Sequence, residues 1–292
     1  MPVINFRQGE NNPGIVSNLP SGSVSWATGR NVSFRPGAVS KNFGKSLLAT
    51  VTNNLPVREA FTFKGYDNVW RTLICCDSKI YSCTNNYSIF ADITPTPAPT
   101  SGANDVWQFA LIGGMPVLSN GKDTMWKWDL SISPMTVVSG APSICKAIHV
   151  HKNKLIVGNI KEGAYTFPAR LRWANTMQPD GGWTKDLKGL TGGKDLIPHS
   201  STMQGTDDIQ AITSQGEKLI VFCERNIWYG TPAEWPLDYN WSAMDSNLGL
   251  IAPRAFVKTP AGLVYFMGTE GVYVIGLDGS MKELSFPIRN SI

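Results

Sequence analysis

Val117-Leu118-Ser119-Asn120, Gly121-Lys122-Asp123-Thr124 and Met125-Trp126-Lys127-Trp128 form one phrase: an apolar run, a polar turn, and a second run opening on an aliphatic–aromatic pair. Short β-prone runs bounded by Gly, Asp and Asn read as hairpins. The phrase recurs as Leu73-Ile74-Cys75-Cys76 with Ile80-Tyr81-Ser82-Cys83, as Leu219-Ile220-Val221-Phe222 with Ile227-Trp228-Tyr229, and as Val264-Tyr265-Phe266-Met267 with Val272-Tyr273-Val274-Ile275. The matched aromatics Tyr81, Trp126, Trp228 and Tyr273 lie 45, 102 and 45 residues apart. The double gap accommodates a fifth, imperfect copy, in which Leu155-Ile156-Val157-Gly158-Asn159 leads through a longer turn to Arg170-Leu171-Arg172-Trp173.

A further apolar run precedes each hairpin, and no long window carries helical periodicity. A repeat near 45 residues with about four short strands is the signature of propeller blades. The expected fold is therefore all-β, a β-propeller of five blades, each of four antiparallel strands. Blades stack radially because one blade alone cannot bury both its faces. Strand-like pieces within Ser23 to Phe43 could join the last blade and close the ring, although a degenerate sixth blade is the competing reading of that segment. The expected organisation is an extended arm over 1–20, the propeller over 21–286 with an inserted loop around 175–206, and a C-terminal tail over 287–292. Thr94 to Thr100 reads as a stiff polyproline-like connector.

The chain has 292 residues, with 26 basic and 22 acidic side chains and a net charge of +4. No run of five like charges exists, so a polybasic nucleic-acid arm or membrane patch has little support. Met1 to Glu10 lacks an apolar leader core, and no stretch approaches the ~20 apolar residues of a membrane span. Five cysteines in apolar runs read as small buried hydrophobes in a reducing compartment rather than as a disulfide framework.

Candidate chemistry is sparse. His149 and His151 share a strand face, but no further ligand motif accompanies them or His199. Gly44-Lys45-Ser46 and Gly189 to Lys194 each lack part of a phosphate loop. Asp77, Asp123, Glu224 and Glu270 occupy equivalent turns, where acidic residues need no catalytic explanation, and Asp207-Asp208 is the remaining carboxylate pair. The expectation is no catalytic residue, no metal and no cofactor. Trp183, Trp235 and Trp241 fall outside the hairpin pattern and are surface, interface or core candidates. Arg170 and Arg172 share a strand face and either point into a groove or channel or form a salt-bridged pair.

Several phrases together carry a resemblance. Leu19-Pro20-Ser21-Gly22, Trp26-Ala27 and Asn31-Val32-Ser33-Phe34-Arg35-Pro36-Gly37 resemble the opening of the tail nozzle proteins of short-tailed bacteriophages. Ala169 to Asn175 with Pro179 and Trp183, Leu219 to Trp228, and Gly249-Leu250-Ile251-Ala252-Pro253 through Gly271-Val272-Tyr273 are similar to later segments of that family. Asn42 and Phe43 stand where the family more often has basic residues, and the chain is short for it. The resemblance implies a virion structural protein made in the host cytoplasm. It would form a homo-oligomeric ring of six copies below the portal and adaptor, mount tail fibres or spikes, and let genomic DNA pass without sequence-specific binding. A carbohydrate-binding, fibre-associated propeller is the alternative, and a glycoside-processing enzyme comes third.

Overall fold

A computed structural model of the chain describes residues 4–5, 32–35, 38–41, 51, 55–84, 90–131, 134–174, 178–180, 182–183, 193–195, 207–233, 239–244 and 248–285. The chain divides into two compact units, one of Met1–Leu48 with Ile288–Ile292 and one of Ala49–Pro287. In the first, β1 (Ile4–Asn5), β2 (Val32–Arg35) and β3 (Ala38–Lys41) form a three-stranded antiparallel sheet in the order β1-β3-β2. Of the two strand-like pieces expected within Ser23 to Phe43, the second therefore pairs within this sheet rather than with the last blade, and Val24 to Trp26 lies outside the described residues. Phe34 pairs with Val39 across a tight hairpin, and Val39 pairs with Ile4 on its other side, so these strands satisfy one another.

The second unit holds five four-stranded antiparallel sheets. The first comprises β4 (Val57–Lys64), β5 (Trp70–Cys76), β6 (Ile80–Thr84) and β7 (Ala91–Asp92). The second comprises β8 (Gln108–Ile112), β9 (Met115–Ser119), β10 (Trp126–Lys127) and β11 (Thr136–Val137). The third comprises β12 (Ile144–His151), β13 (Lys154–Glu162), β14 (Tyr165–Trp173) and β15 (Gly193–Asp195). The fourth comprises β16 (Ile209–Gln215), β17 (Lys218–Cys223), β18 (Ile227–Pro232) and β19 (Tyr239–Ala243). The fifth comprises β20 (Phe256–Lys258), β21 (Val264–Met267), β22 (Val272–Ile275) and β23 (Met281–Glu283). Each is a meander in chain order, and no helix occurs among the described residues.

Burial explains the repeat. Strands at the centre of a sheet are covered on both faces and read as continuous apolar runs, as β17 does in Leu219-Ile220-Val221-Phe222-Cys223, every residue of it buried. Successive sheets share their cores. Phe63, Leu73 and Ile80 of the first pack with Leu118 and Trp126 of the second, and Ile112 and Val117 of the second with Ile148 and Leu155 of the third. Ile156 and Trp173 then meet Ile212 and Val221, and Ile220 and Phe222 meet Val264 and Phe266. Of the repeated aromatics, Tyr81, Trp126, Trp173 and Tyr273 are buried and Trp228 is half-buried, and all but Tyr81, which packs within the first sheet, lie in cores shared by two sheets. All five cysteines are buried and free. The arrangement is all-β and propeller-like.

The third sheet departs from the expected strand limits. Asn159 and the long turn expected after it instead lie within paired strands, since β13 continues to Glu162 and β14 begins at Tyr165. A two-residue turn joins them, with Gly163 at φ +60°. Asn159 carries the turn-like signal because it occupies a bulge, between the pairs Gly158↔Leu171 and Ile160↔Phe167, at φ +52°.

Candidate functional site

The described residues contain a polar cavity of about 300 Å³, lined by the ends of the second to fifth sheets. On one side stands Asp105, in the approach to β8, whose carboxylate accepts from the Gly102 N–H at 2.7 Å. Asn120 closes the β9–β10 turn. Its Oδ1 accepts from the N–H groups of Lys122 at 3.0 Å and Asp123 at 2.8 Å. Gly121 then passes Lys146 so closely that a Cβ there would lie 3.3 Å from Cγ of Lys146.

Two backbone irregularities aim side chains at this cavity. In the β12–β13 ladder Cys145 pairs with Ile160 and Ala147 with Gly158, which leaves Lys146 and Asn159 between them, and both line the cavity. Asn159 is 3% exposed, and its Nδ2 donates to the Ile209 carbonyl at 3.2 Å. That bond fixes the amide orientation and leaves Oδ1 buried with no hydrogen-bond partner among the described residues. The second bulge, between the pairs of Ile209 and Ala211 on β16, turns Gln210 to the cavity, where its Nε2 donates to Glu224 at 3.0 Å.

Glu224 and Asp208 complete the acidic side. The Glu224 N–H donates to the Asp208 carbonyl at 3.0 Å. Gly249 backs this turn, and a Cβ there would fall 2.0 Å from the Glu224 carbonyl group. Neighbouring Asp207 accepts from the Arg225 N–H and from Asn226 Nδ2, both at 2.7 Å, and burial pushes its carboxyl pKa up. The cavity lining thus includes Asp105, Asp208, Glu224 and Lys146, and the Lys122 ammonium stands 4.0 Å from the Asp105 carboxylate.

The residues singled out from sequence lie elsewhere. Arg170 and Arg172 share a face of β14 as expected and converge on one carboxylate, that of Glu162. Arg170 Nη1 is 2.9 Å from Oε2, and Arg172 Nε is 2.8 Å from Oε1. Arg172 also donates to the Trp183 carbonyl at 2.8 Å, and the Arg170 guanidinium lies 3.6 Å from the Phe167 ring centroid. Trp183 is buried in the core between the second and third sheets and donates its Nε1–H to the Pro179 carbonyl at 2.7 Å. Trp241, on β19, packs at tilted angles against Trp173 and Tyr239, and a Cβ on Gly230 would press to 2.8 Å from its indole. Trp235 lies outside the described residues, as do His199, Gly44 to Ser46, nearly all of the 1–20 arm, most of 175–206 and the 287–292 tail.

His149 and His151 sit on β12, where burial and then nearby positive charge, including Lys258 for both, push each pKa down to about 4. His151 Nδ1 is 3.0 Å from the Tyr239 hydroxyl. Among the described residues no group of three or more His, Cys, Asp or Glu is gathered as a metal ion would need. Of the four turn acids, Asp77 pairs with Arg58 and Asp123 with Thr100 and Asn120, and Glu224 lines the cavity while Glu270 does not. Sequence reasoning reached Glu224 only as a turn residue and missed Asn159. A Gly-Asn pair inside an apolar run is the bulge signal that could have found it.

Comparison with known proteins supports the architecture alone. No protein-family model and no curated protein matches the chain. Solved structures do match. Two are of the extracellular domain of BT4673 from B. thetaiotaomicron, described in one as a one-component and in the other as a hybrid two-component system. They share 13% and 15% identity with this chain at TM-scores of 0.51 and 0.52, covering 87% and 82% of it. The dihydro-heme d1 dehydrogenase NirN in complex with DHE aligns over 80% of the chain at 14% identity and TM-score 0.48. The chain spans 30%, 29% and 47% of the lengths of these three.

Proposed function

We infer that this chain is a tail nozzle or hub protein of a short-tailed bacteriophage, acting as a structural part of the virion rather than as an enzyme. Its five sheets would close into a five-bladed ring. Six copies would form the collar that continues the DNA-ejection channel below the portal and adaptor and mounts fibres or spikes. The observation that carries this reading is what the family-like residues do. Trp183 accepts from Arg172 and donates to Pro179, and Gly249 makes room for the Glu224 backbone beside it. The later phrases behind the resemblance therefore hold packing contacts, which is what a shared structural role would keep.

Two further features support the reading. Arg254, before the last sheet, forms an ion pair with Glu59 of the first and donates to the Trp107 carbonyl at 3.2 Å, a contact suited to holding the ring seam. The β4–β5 turn presents Tyr66, Val69 and Trp70 at 59%, 40% and 49% exposure. Exposed aromatics clustered with aliphatics are what a subunit interface uses as anchors. A wall that passes DNA should not grip it, since each neutralised phosphate adds affinity, and a net charge of only +4 suits that task. The carbohydrate-binding alternative gains no support from the described lining of the cavity, which includes no aromatic ring on which a sugar could stack.

Quantitative mass spectrometry of purified DNA-containing particles tests the proposal, with about six copies per particle expected from a closed cyclic ring. Absence from particles would overturn it. Trp70→Lys should leave the monomer folded and block assembly of that ring.

A further inference from the structure

We propose that the open face of the fifth sheet receives the β4–β5 turn of a second copy of this chain, a head-to-tail contact between two different surfaces. Strand alternation makes that face apolar. One cross-strand row runs Val257, Tyr265, Val274, and the next holds Met267, Val272 and Leu284. All six are exposed or half-buried, whereas Phe266 and Ile275, which point the other way, are buried against the fourth sheet. The second, third and fourth sheets each share a core on both faces, and Val51, Leu55 and Phe90 cover the second face of the first. Arg254 ties the start of the fifth sheet to Glu59 and to the Trp107 carbonyl, yet this face belongs to no core among the described residues.

What covers it follows from size and chemistry. Phe256, Val257, Tyr265, Met267 and Val272 line an open apolar groove of about 280 Å³. Clefts for drug-sized ligands enclose them in about 300–1,000 Å³, so an open groove of this size suits a side chain or two from a protein surface. The chain itself displays such side chains in Tyr66 and Trp70. Their turn is fixed before any contact forms. Asp67 accepts from the Val69 N–H at 3.2 Å and pairs with Arg71, and the Tyr66 hydroxyl donates to the Asp129 carbonyl at 2.7 Å. Preorganised aromatic anchors lose little freedom on docking. Exposed Lys282, paired with Val274 at the end of the first row, offers an ammonium to an incoming ring face. A projecting apolar turn and an apolar groove elsewhere on one molecule make a heterologous contact, the kind that can close a ring. This pairing rests on the reading of the β4–β5 turn as a subunit contact and is independent of the virion.

Two anchors burying about 150–250 Å² each fall short of the ~800 Å² per partner of a stable pair, so free copies should associate weakly. Sedimentation velocity of the intact chain at concentrations up to about 100 µM tests this, and the mass should rise with concentration. Trp70→Lys and Val257→Lys should each stay monomeric alone, with thermal melts unchanged because both positions are exposed. Mixed in equal amounts they should form a dimer and nothing larger, since the first keeps its groove and the second its turn. Met267→Lys is a second groove variant and should behave as Val257→Lys does. Self-association of both groove variants at wild-type strength, or a mixture that stays monomeric, would overturn the pairing and leave the turn as a contact of another kind. A wild type that stays monomeric, or a Trp70→Lys variant that associates as strongly, would overturn both.

Discussion

Two polar clusters border the third sheet, and they differ in how their members are connected. Around Glu162 the chain supplies both signs. Arg170 and Arg172 share the carboxylate, and Arg172 reaches on to the carbonyl of Trp183, which is itself anchored to Pro179. Around Asn159 the groups are met one by one, Asp105 by the Gly102 N–H and Lys122, Glu224 by Gln210, and the Asn159 Nδ2 by the Ile209 carbonyl. Side chains that share one carboxylate depend on one another, whereas groups met separately can each be changed alone. Residue type alone does not separate the two cases, because both mix acids, bases and amides.

The largest effect that would break this comparison is on the cluster around Glu162. Trp183→Ala opens a hole in the core between the second and third sheets and frees the Pro179 carbonyl, and should cost about 3–5 kcal/mol in chemical denaturation. A loss below about 1 kcal/mol would mean that Trp183 does not anchor that core. Next comes Arg172→Ala, which leaves Glu162 with one partner and the Trp183 carbonyl with none from this side chain. The expected loss is about 2–3 kcal/mol, and Arg172→Lys should recover little of it, because lysine lacks the planar fork that spans both acceptors.

A third polar group sharpens the contrast through pH. His149 and His151 are excluded from charge rather than paired, with pKa values pushed down to about 4 against about 6.5 in the unfolded chain. The unfolded state therefore binds more protons below that value. Stability fully present above about pH 6.5 is lost progressively as pH falls towards about 4. With partial solvent screening at His149, about 1–2 kcal/mol is expected over that window. Urea melts at pH 7 and pH 5 should show it, and His149→Gln should flatten the difference. Equal midpoints in the wild type at the two pH values would contradict the burial of neutral imidazoles.

Much of the fold was legible because burial writes it into the sequence. Central strands such as Leu219 to Cys223 are apolar throughout, and the aromatic that recurs about every 45 residues packs between adjacent sheets in every copy but the first. The shared face of Arg170 and Arg172 followed from strand alternation. Their partner did not, because Glu162 lies on a neighbouring strand whose length was hidden by the bulge at Asn159. The N-terminal strands misled for a related reason. Strand propensity identified Val32 to Phe34, but pairing partners are set by long-range geometry that propensity does not contain. The cavity was illegible because its groups come from four sheets, each looking locally like an ordinary turn or strand end.

The smallest change in stability should separate the clusters most cleanly. Asn159 holds φ +52°, a conformation that costs an ordinary side chain and suits glycine. Asn159→Gly removes the hydrogen bond to the Ile209 carbonyl but also removes that backbone strain and the unpaired buried oxygen. These effects oppose one another, so the net change should be within about 1 kcal/mol. Were Asn159 as tightly coupled to its neighbours as Arg172, its loss would lower stability by about 2 kcal/mol or more. Held at a bulge by one side-chain hydrogen bond, it should instead leave the denaturation midpoint nearly constant. Urea melts of the Asn159 and Arg172 variants side by side decide between these descriptions, because a shared network and a separately held side chain predict losses of different size.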